Sequence, residues 1–216
     1  MTDDFEKKWQ ESQINGWKNN KTEIVNFFQR FNLITSNLYD QVMGLEYGKM
    51  QVICYLLSKI RKVIKICDFL DTLEKENKED VDVIKIFFLV SHAEITMNNF
   101  GFSGEKRKLV NKFFEPVAEK LKYEIQTSLG NGTKIKEISS SDILYKIRCE
   151  YAHEGNYTGK IFKNSSTEHN DAENLFSFKN DDKDIFGECG LTYQEFINIY
   201  MEALIDNIKK FSEAKD

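Results

Sequence analysis

The sequence predicts an all-α fold, an up-down bundle of five to seven helices with a small β-hairpin excursion near residues 157–178. Two observations indicate helices. The 216 residues include one proline and 11 glycines, and apolar residues recur every three or four positions over long stretches. With 41% hydrophobic residues, the chain has enough apolar surface for a sizeable core. No linker divides it, so we expect one helical domain over residues 1–216, with a β and loop insertion at 157–178.

The first half of the chain contains four predicted helices. Residues 3–15 form an amphipathic pattern with Phe5 and Trp9 on one side. Three stronger runs of apolar residues follow at helical spacing, over 22–44, 50–73 and 81–100. The third run is apolar nearly all round at its centre, which predicts a buried position in the middle of the bundle.

The next predicted helix carries apolar residues at helical spacing from Leu109 to Ile125. Pro116 lacks a backbone donor and disfavours helical geometry at Glu115, so we expect a kink or a new start there. After a turn, the cluster Ser139-Ser140-Ser141-Asp142 is rich in residues that cap helix starts. It therefore predicts a further helix through residue 153.

The last part of the chain changes character before returning to helix. The segments Tyr157–Lys163 and Leu175–Phe178 have the composition of two short strands. Thr192 and Glu195 are spaced as in a capping box, which predicts the start of a terminal helix.

Charge and cysteine usage restrict the class of protein. The net charge is −5 and the pI about 5.4, which argues against a protein that coats nucleic acid non-specifically. Four cysteines without CxxC spacing indicate reduced thiols and a cytoplasmic location. No signal peptide is evident, and no apolar stretch is long enough to span a bilayer. We expect a soluble protein without a membrane partner.

Common cofactor and metal motifs are missing from the sequence. Gly130-Asn131-Gly132 lacks the lysine and hydroxyl residue of a phosphate-binding loop, and no HExxH or Gly-x-Ser-x-Gly motif occurs. His92 and Glu94 are two residues apart, which does not suit a metal on one helix face, so His92 is interpreted as a hydrogen-bonded helical residue. We therefore predict no metal and no cofactor.

The candidate site lies on the helix that ends near residue 153. Arg148 precedes His153 by five residues, so the two side chains flank a groove floored by the small side chains of Cys149 and Ala152. A guanidinium can bind a phosphate while an imidazole moves a proton. Arg148 and His153 are the predicted catalytic residues.

Three neighbours on the same helix are predicted to bind substrate. Tyr145 is placed to stack on a base or to line the groove, Lys146 adds positive charge, and Cys149 leaves room for a ligand. The basic clusters at 59–62, 106–108 and 209–210 are instead interpreted as solvated faces.

The pattern Arg148-x-x-x-x-His153, late in an all-helical chain, resembles the HEPN (higher eukaryotes and prokaryotes nucleotide-binding) superfamily. Members are helical bundles, commonly dimeric, and many are metal-independent endoribonucleases of toxin, antiphage or CRISPR systems. In many active members Asn, Asp or His follows the arginine, whereas Cys149 stands there in this chain.

The resemblance implies RNA cleavage by the RNA's own 2′-hydroxyl, with His153 as general acid or base and Arg148 stabilising the charged phosphorane. It also implies a homodimer that acts on RNA, as a toxin or antiphage effector; DNA is not an expected partner. The alternative is a non-catalytic helical module that binds a nucleotide, RNA or a protein. A third hypothesis is a scaffold that uses residues 157–178 as its contact surface.

Overall fold

The computed structural model describes residues 2–31, 36–72, 78–121, 123–125, 138–154, 162, 175–180 and 183–214. Within these ranges the fold is all-α, as predicted, with one small sheet. The helices are α1 (Thr2–Asn19), α2 (Lys21–Gln29), α3 (Ser36–Met43), α4 (Tyr47–Thr72), α5 (Lys78–Asn99), α6 (Lys106–Phe114), α7 (Ser140–Glu154) and α8 (Tyr193–Glu213). The strands are β1 (Tyr123–Ile125), β2 (Leu175–Asn180) and β3 (Lys183–Cys189).

Helix α5 is the centre of the bundle, as its apolar sequence predicts. It packs against α4, α6 and α7, and Leu89, Val90 and Ala93 in its middle are fully buried. Its less buried side carries Phe87 and Phe88. This position brings residues of α5 next to those of α7.

The described ranges contain eight α-helices, where five to seven were expected. The run over 22–44 is divided between α2 and α3 rather than forming one helix. Helix α1 is present, and its Phe5 and Trp9 are exposed. Among the described helices, none combines the length and the apolar character needed to cross a membrane.

Pro116 has the predicted effect on the helix that contains it. Helix α6 ends at Phe114, and a 3-10 helix continues over Glu115–Lys120 with the proline in its first turn. The predicted extension of helix to Ile125 is wrong, because Tyr123–Ile125 pairs with β3 as strand β1.

The described β excursion extends beyond the end of the predicted segment 157–178. Strands β2 and β3 form an antiparallel hairpin in which Asn180 pairs with Lys183, and β1 adds to the other edge of β3. The expected strand Leu175–Phe178 is confirmed, while Tyr157–Lys163 lies outside the described residues except for Phe162, a buried residue in a bend. The hairpin of the described residues spans 175–189, and its second strand, β3, was not predicted.

Helix α8 begins with the predicted capping box. The Thr192 hydroxyl accepts a hydrogen bond from the Glu195 amide at 3.2 Å, and the Thr192 amide donates to the Glu195 carboxylate at 2.8 Å. The helix then buries Phe196 and Tyr200 completely in the core. The prediction of a terminal, inward-packing helix is confirmed.

Candidate functional site

Helix α7 is fixed to its neighbours at both ends of the candidate site. Ser139 caps its start, since the Ser139 hydroxyl accepts a hydrogen bond from the Asp142 amide at 3.1 Å. The inner face buries Leu144 and Ile147 completely, as the helical spacing predicted. Tyr151, expected on the same face, is half-buried and packs edge-on against Phe87 with ring centres 5.7 Å apart.

An ion pair holds the first turn of α7 against α6. Arg107 donates from Nε and Nη2 to the two oxygens of Asp142, at 2.6 and 2.7 Å, and Asn111 donates to the same carboxylate at 2.7 Å. These hydrogen bonds, with that from Arg107 the largest cause, lower the pKa of Asp142 to about 2. This forked contact determines where the rest of α7 lies.

Arg148 lies against the central helix. Its Nη2 atom is 3.4 Å from the Glu94 carboxylate of α5, and the two side chains are only 13% and 12% exposed. The guanidinium carbon also lies 5.7 Å from the centre of the Phe87 ring, in cation–π contact. Arg148 therefore sits at the edge of the bundle with a limited part of its guanidinium open to solvent.

The hydrogen-bonding capacity of Arg148 is only partly used. The Nη2 atom donates a hydrogen bond to Glu94, and Nη1 lies 4.0 Å from the Cys149 sulfur. The Nε atom is buried with no hydrogen-bond partner among the described residues. A guanidinium has five N–H donors. The contact with Glu94 therefore orients the group without satisfying it.

Glu94 is the functional candidate that sequence reasoning missed. It also pairs with Lys106, whose amino group lies 3.5 Å from the second carboxylate oxygen, so one carboxylate bridges two cations. In the sequence, Glu94 draws attention only through His92 two residues earlier, at a spacing that does not suit a metal site. Its partner on α7 is 54 positions away, and no local pattern signals such a contact.

Tyr145 and Cys149 form the other side of the cluster. Burial raises the pKa of the Tyr145 hydroxyl to about 12, and its hydrogen bond to Cys149 contributes in the same direction. Both residues are half-buried, as is Lys146. Tyr145 therefore remains a neutral hydroxyl that can donate a hydrogen bond.

His153 is exposed in the last turn of α7, and no described residue makes a hydrogen bond to its ring. Along the helix axis its α-carbon lies about 7.5 Å beyond that of Arg148, and the two point about 140° apart around the axis. The structure thus groups Arg148 with Tyr145, Cys149 and Glu94, and leaves His153 beside this group rather than in contact with it.

The other two histidines do not contribute to the cluster. His92 is buried, with Nδ1 2.7 Å from the Tyr200 hydroxyl and Nε2 3.2 Å from the Leu56 carbonyl, and burial lowers its pKa to about 4. A carbonyl only accepts, so Nε2 carries the proton and Tyr200 donates to Nδ1. The interpretation of His92 as a hydrogen-bonded core residue is confirmed; His169 lies outside the described residues.

The described residues contain no group of three or more His, Cys, Asp or Glu side chains arranged to hold a metal ion. The candidate site on α7 offers a guanidinium, an imidazole, a phenol and a thiol. Comparisons of the chain with protein families, with curated proteins and with solved structures find no match.

Proposed function

We propose that the protein is a HEPN-like, metal-independent endoribonuclease that acts at the rim of α7. The observation that carries the proposal is the placement of Arg148, a guanidinium that Glu94 orients through one nitrogen, about 1.4 helical turns from the exposed His153. A partly buried guanidinium beside an accessible imidazole provides an anion-binding group and a proton-transfer group on one rigid element.

The proposed reaction uses the RNA as its own nucleophile. The 2′-hydroxyl attacks the adjacent phosphorus, the bond from phosphorus to the 5′-oxygen breaks, and the products carry a 2′,3′-cyclic phosphate and a 5′-hydroxyl. The 2′-hydroxyl loses a proton and the departing 5′-oxygen gains one; His153 serves one of these two transfers as general acid or base, and solvent water serves the other. Arg148 donates hydrogen bonds to the phosphorane oxygens as negative charge accumulates there. DNA lacks the 2′-hydroxyl and is not a substrate in this scheme.

The neighbours of Arg148 receive supporting roles. Tyr145 donates a hydrogen bond from a hydroxyl that stays protonated, or contacts a base with its ring. Lys146 contributes positive charge, and Cys149 leaves space for the phosphate. Glu94 is a positioning residue, because it acts on substrate through Arg148.

A homodimer completes the proposal. Helix α5 carries the half-buried Phe87 and Phe88 and the exposed Ile95 beside the α7 cluster, an apolar surface suited to a second copy of the chain. Two copies related by a two-fold axis would place two Arg148 and His153 sets along one groove. A toxin or antiphage role remains part of this proposal, and RNA is its substrate.

A specific observation favours a second candidate function, a non-catalytic module that binds RNA, a nucleotide or a protein. Glu94 offsets the charge of Arg148, and Cys149 stands where many HEPN enzymes have a more polar residue. The first feature weakens the Coulomb attraction between this site and a phosphate, and the second removes a polar partner that the resemblance leads us to expect beside the arginine.

Cleavage assays separate the two candidates. Mixed RNA is incubated with wild type, Arg148→Ala, His153→Ala and Arg30→Ala in the presence of EDTA. Arg30 is the matched control, because it is also an arginine paired with one carboxylate, that of Asp68 at 2.8 Å. The nuclease proposal expects cleavage by wild type and Arg30→Ala only. Intact RNA with every protein, each shown to be folded by circular dichroism, leaves the non-catalytic module.

A further inference from the structure

The long helix α4 has an outer face that is exposed along most of its length. Tyr55, Ile66 and Phe69 on this face are 45%, 43% and 60% exposed, while Ile60 and Ile64 on the opposite side are fully buried. We call the following residues the α4 outer face: Tyr55, Lys59, Lys62, Lys65, Ile66 and Phe69. At 1.5 Å per residue they extend over about 21 Å.

The α4 outer face is positively charged on a protein whose net charge is −5. Lys59, Lys62 and Lys65 are exposed, and none of them has an ion-pair partner among the described residues. Asp68 lies at the flank and bonds Arg30 at 2.8 Å. Within the described residues, no ion pair offsets the charge of these lysines.

The basic cluster at 59–62, interpreted from sequence as one solvated face, is divided by the structure. Ile60 is buried, and Arg61 pairs with Glu23 of α2 at 2.7 Å. Only Lys59 and Lys62 of this cluster belong to the α4 outer face. Helical geometry then adds Lys65 and Phe69, which no run of adjacent residues would have grouped with them.

An aromatic ring lies at each end of the row of lysines on this face. The amino group of Lys59 lies 5.2 Å from the centre of the Tyr55 ring, and the Phe69 ring is exposed at the other end. Proteins that bind single-stranded nucleic acid combine cations that follow the backbone with exposed rings on which bases stack. The α4 outer face has both components on one rigid helix.

We propose that the α4 outer face binds single-stranded RNA, with Tyr55 and Phe69 stacking on bases and the lysines contacting phosphates. Helices α4 and α7 pack separately on α5, so this surface is distinct from the Arg148 cluster. The choice of RNA as the single-stranded ligand rests on the proposed function, whereas the stacking and charge arguments do not.

Two other partners fit this face less well. A helix that lies in a membrane surface needs a continuous apolar side, and here Lys59 and Lys62 separate Tyr55 from Ile66 and Phe69. A second copy of α4 would bring lysines against lysines, which repel each other. RNA complements both the charge and the rings.

The test is fluorescence anisotropy with a labelled oligouridylate of about 16 nucleotides. All proteins carry His153→Ala, so that cleavage does not interfere. Lys59→Gln with Lys62→Gln is expected to weaken binding about tenfold or more and to reduce the slope of log affinity against log salt by about 1.4. Tyr55→Ala is expected to weaken it at least about fivefold. Lys209→Gln with Lys210→Gln removes the same charge from α8 and should leave binding unchanged.

Equal binding by the α4 variants, the α8 control and the parent would overturn the proposal. It is also overturned if phosphatidylserine vesicles, and not RNA, lose binding in the α4 variants, since a membrane surface is then the partner. If wild type does not cleave RNA but binding still depends on the α4 outer face, this inference stands and the proposed function fails. If wild type cleaves RNA but binding does not depend on the α4 outer face, the proposed function stands and this inference fails.

Discussion

Two arginine–carboxylate contacts tie α7 into the bundle, and they differ in how completely they are formed. Arg107 bonds Asp142 through two nitrogens at 2.6 and 2.7 Å, and Asn111 adds a third hydrogen bond. Arg148 reaches Glu94 through one nitrogen at 3.4 Å and keeps a buried Nε without a described partner. The first contact has the geometry of a structural clamp, whereas the second is a single, longer contact that orients the guanidinium.

The largest expected effect is on the rate of RNA cleavage, which should distinguish Arg148 from Arg107. Arg148→Ala should lower RNA cleavage by about 100-fold or more, because it removes the donors that stabilise the phosphorane. Arg107→Ala should leave cleavage per folded molecule within about twofold, since Arg107 holds α7 without contacting substrate in the proposed scheme. Initial cleavage rates, corrected for the folded fraction, measure the difference. Equal losses in both variants would remove the functional distinction between the contacts.

The next effect is on the free energy of unfolding, to which the contact of Asp142 with Arg107 should contribute more than that of Glu94 with Arg148. Asp142→Asn should lower the free energy of unfolding by about 1.5–3 kcal/mol, because a carboxylate with three side-chain hydrogen bonds becomes a neutral amide. Glu115→Gln is the control, since its single ion pair with Lys112 is exposed and contributes little. Urea unfolding followed by circular dichroism gives both values. A loss at Asp142 no larger than at Glu115 would contradict the clamp.

The clamp also predicts a pH dependence. The folded-state pKa of Asp142 is lowered from 3.8 to about 2, so its contribution to stability is fully present above the unfolded value and is lost as pH falls through the folded value. The stability difference between wild type and Asp142→Asn should therefore be constant above about pH 5 and shrink towards pH 2. Unfolding at several pH values, with salt held constant, tests this; a constant difference would contradict it.

The smallest effect tests the contact of Glu94 with Arg148. Glu94→Gln keeps an acceptor of similar shape but removes the charge that orients the guanidinium, so cleavage should fall about tenfold. The free energy of unfolding should change by about 1 kcal/mol or less, because both contacts of the carboxylate, with Arg148 at 3.4 Å and with Lys106 at 3.5 Å, are long and the amide keeps an acceptor. A rise in cleavage would show instead that Glu94 suppresses the site by neutralising Arg148.

Most of the fold could be predicted because its signals are local. The serine cluster before α7, the capping box of α8 and the proline after α6 each act within one helical turn. Strand β1 was missed because Leu121 and Ile125, four residues apart, continue an apolar spacing that suits a helix. Pairing with Gly187 and Cys189 of β3 overrides that local preference.

The site could be predicted only in part, because some of its contacts are local in sequence and others join distant residues. Arg148 and His153 are near neighbours in sequence, so their spacing could be interpreted as helical. The contact of Arg148 with Glu94 depends on how α5 packs against α7. No sequence pattern around either residue indicates that packing. The burial of Arg148 was likewise not foreseen.

Analysis of RNA ends tests the central claim most directly. A defined RNA is incubated with wild type and Arg148→Ala in EDTA, and the termini of the fragments are identified by mass spectrometry. The account predicts 2′,3′-cyclic phosphate and 5′-hydroxyl ends from wild type and intact RNA from Arg148→Ala. Fragments with 5′-phosphate ends, or the same fragments from both proteins, would contradict it.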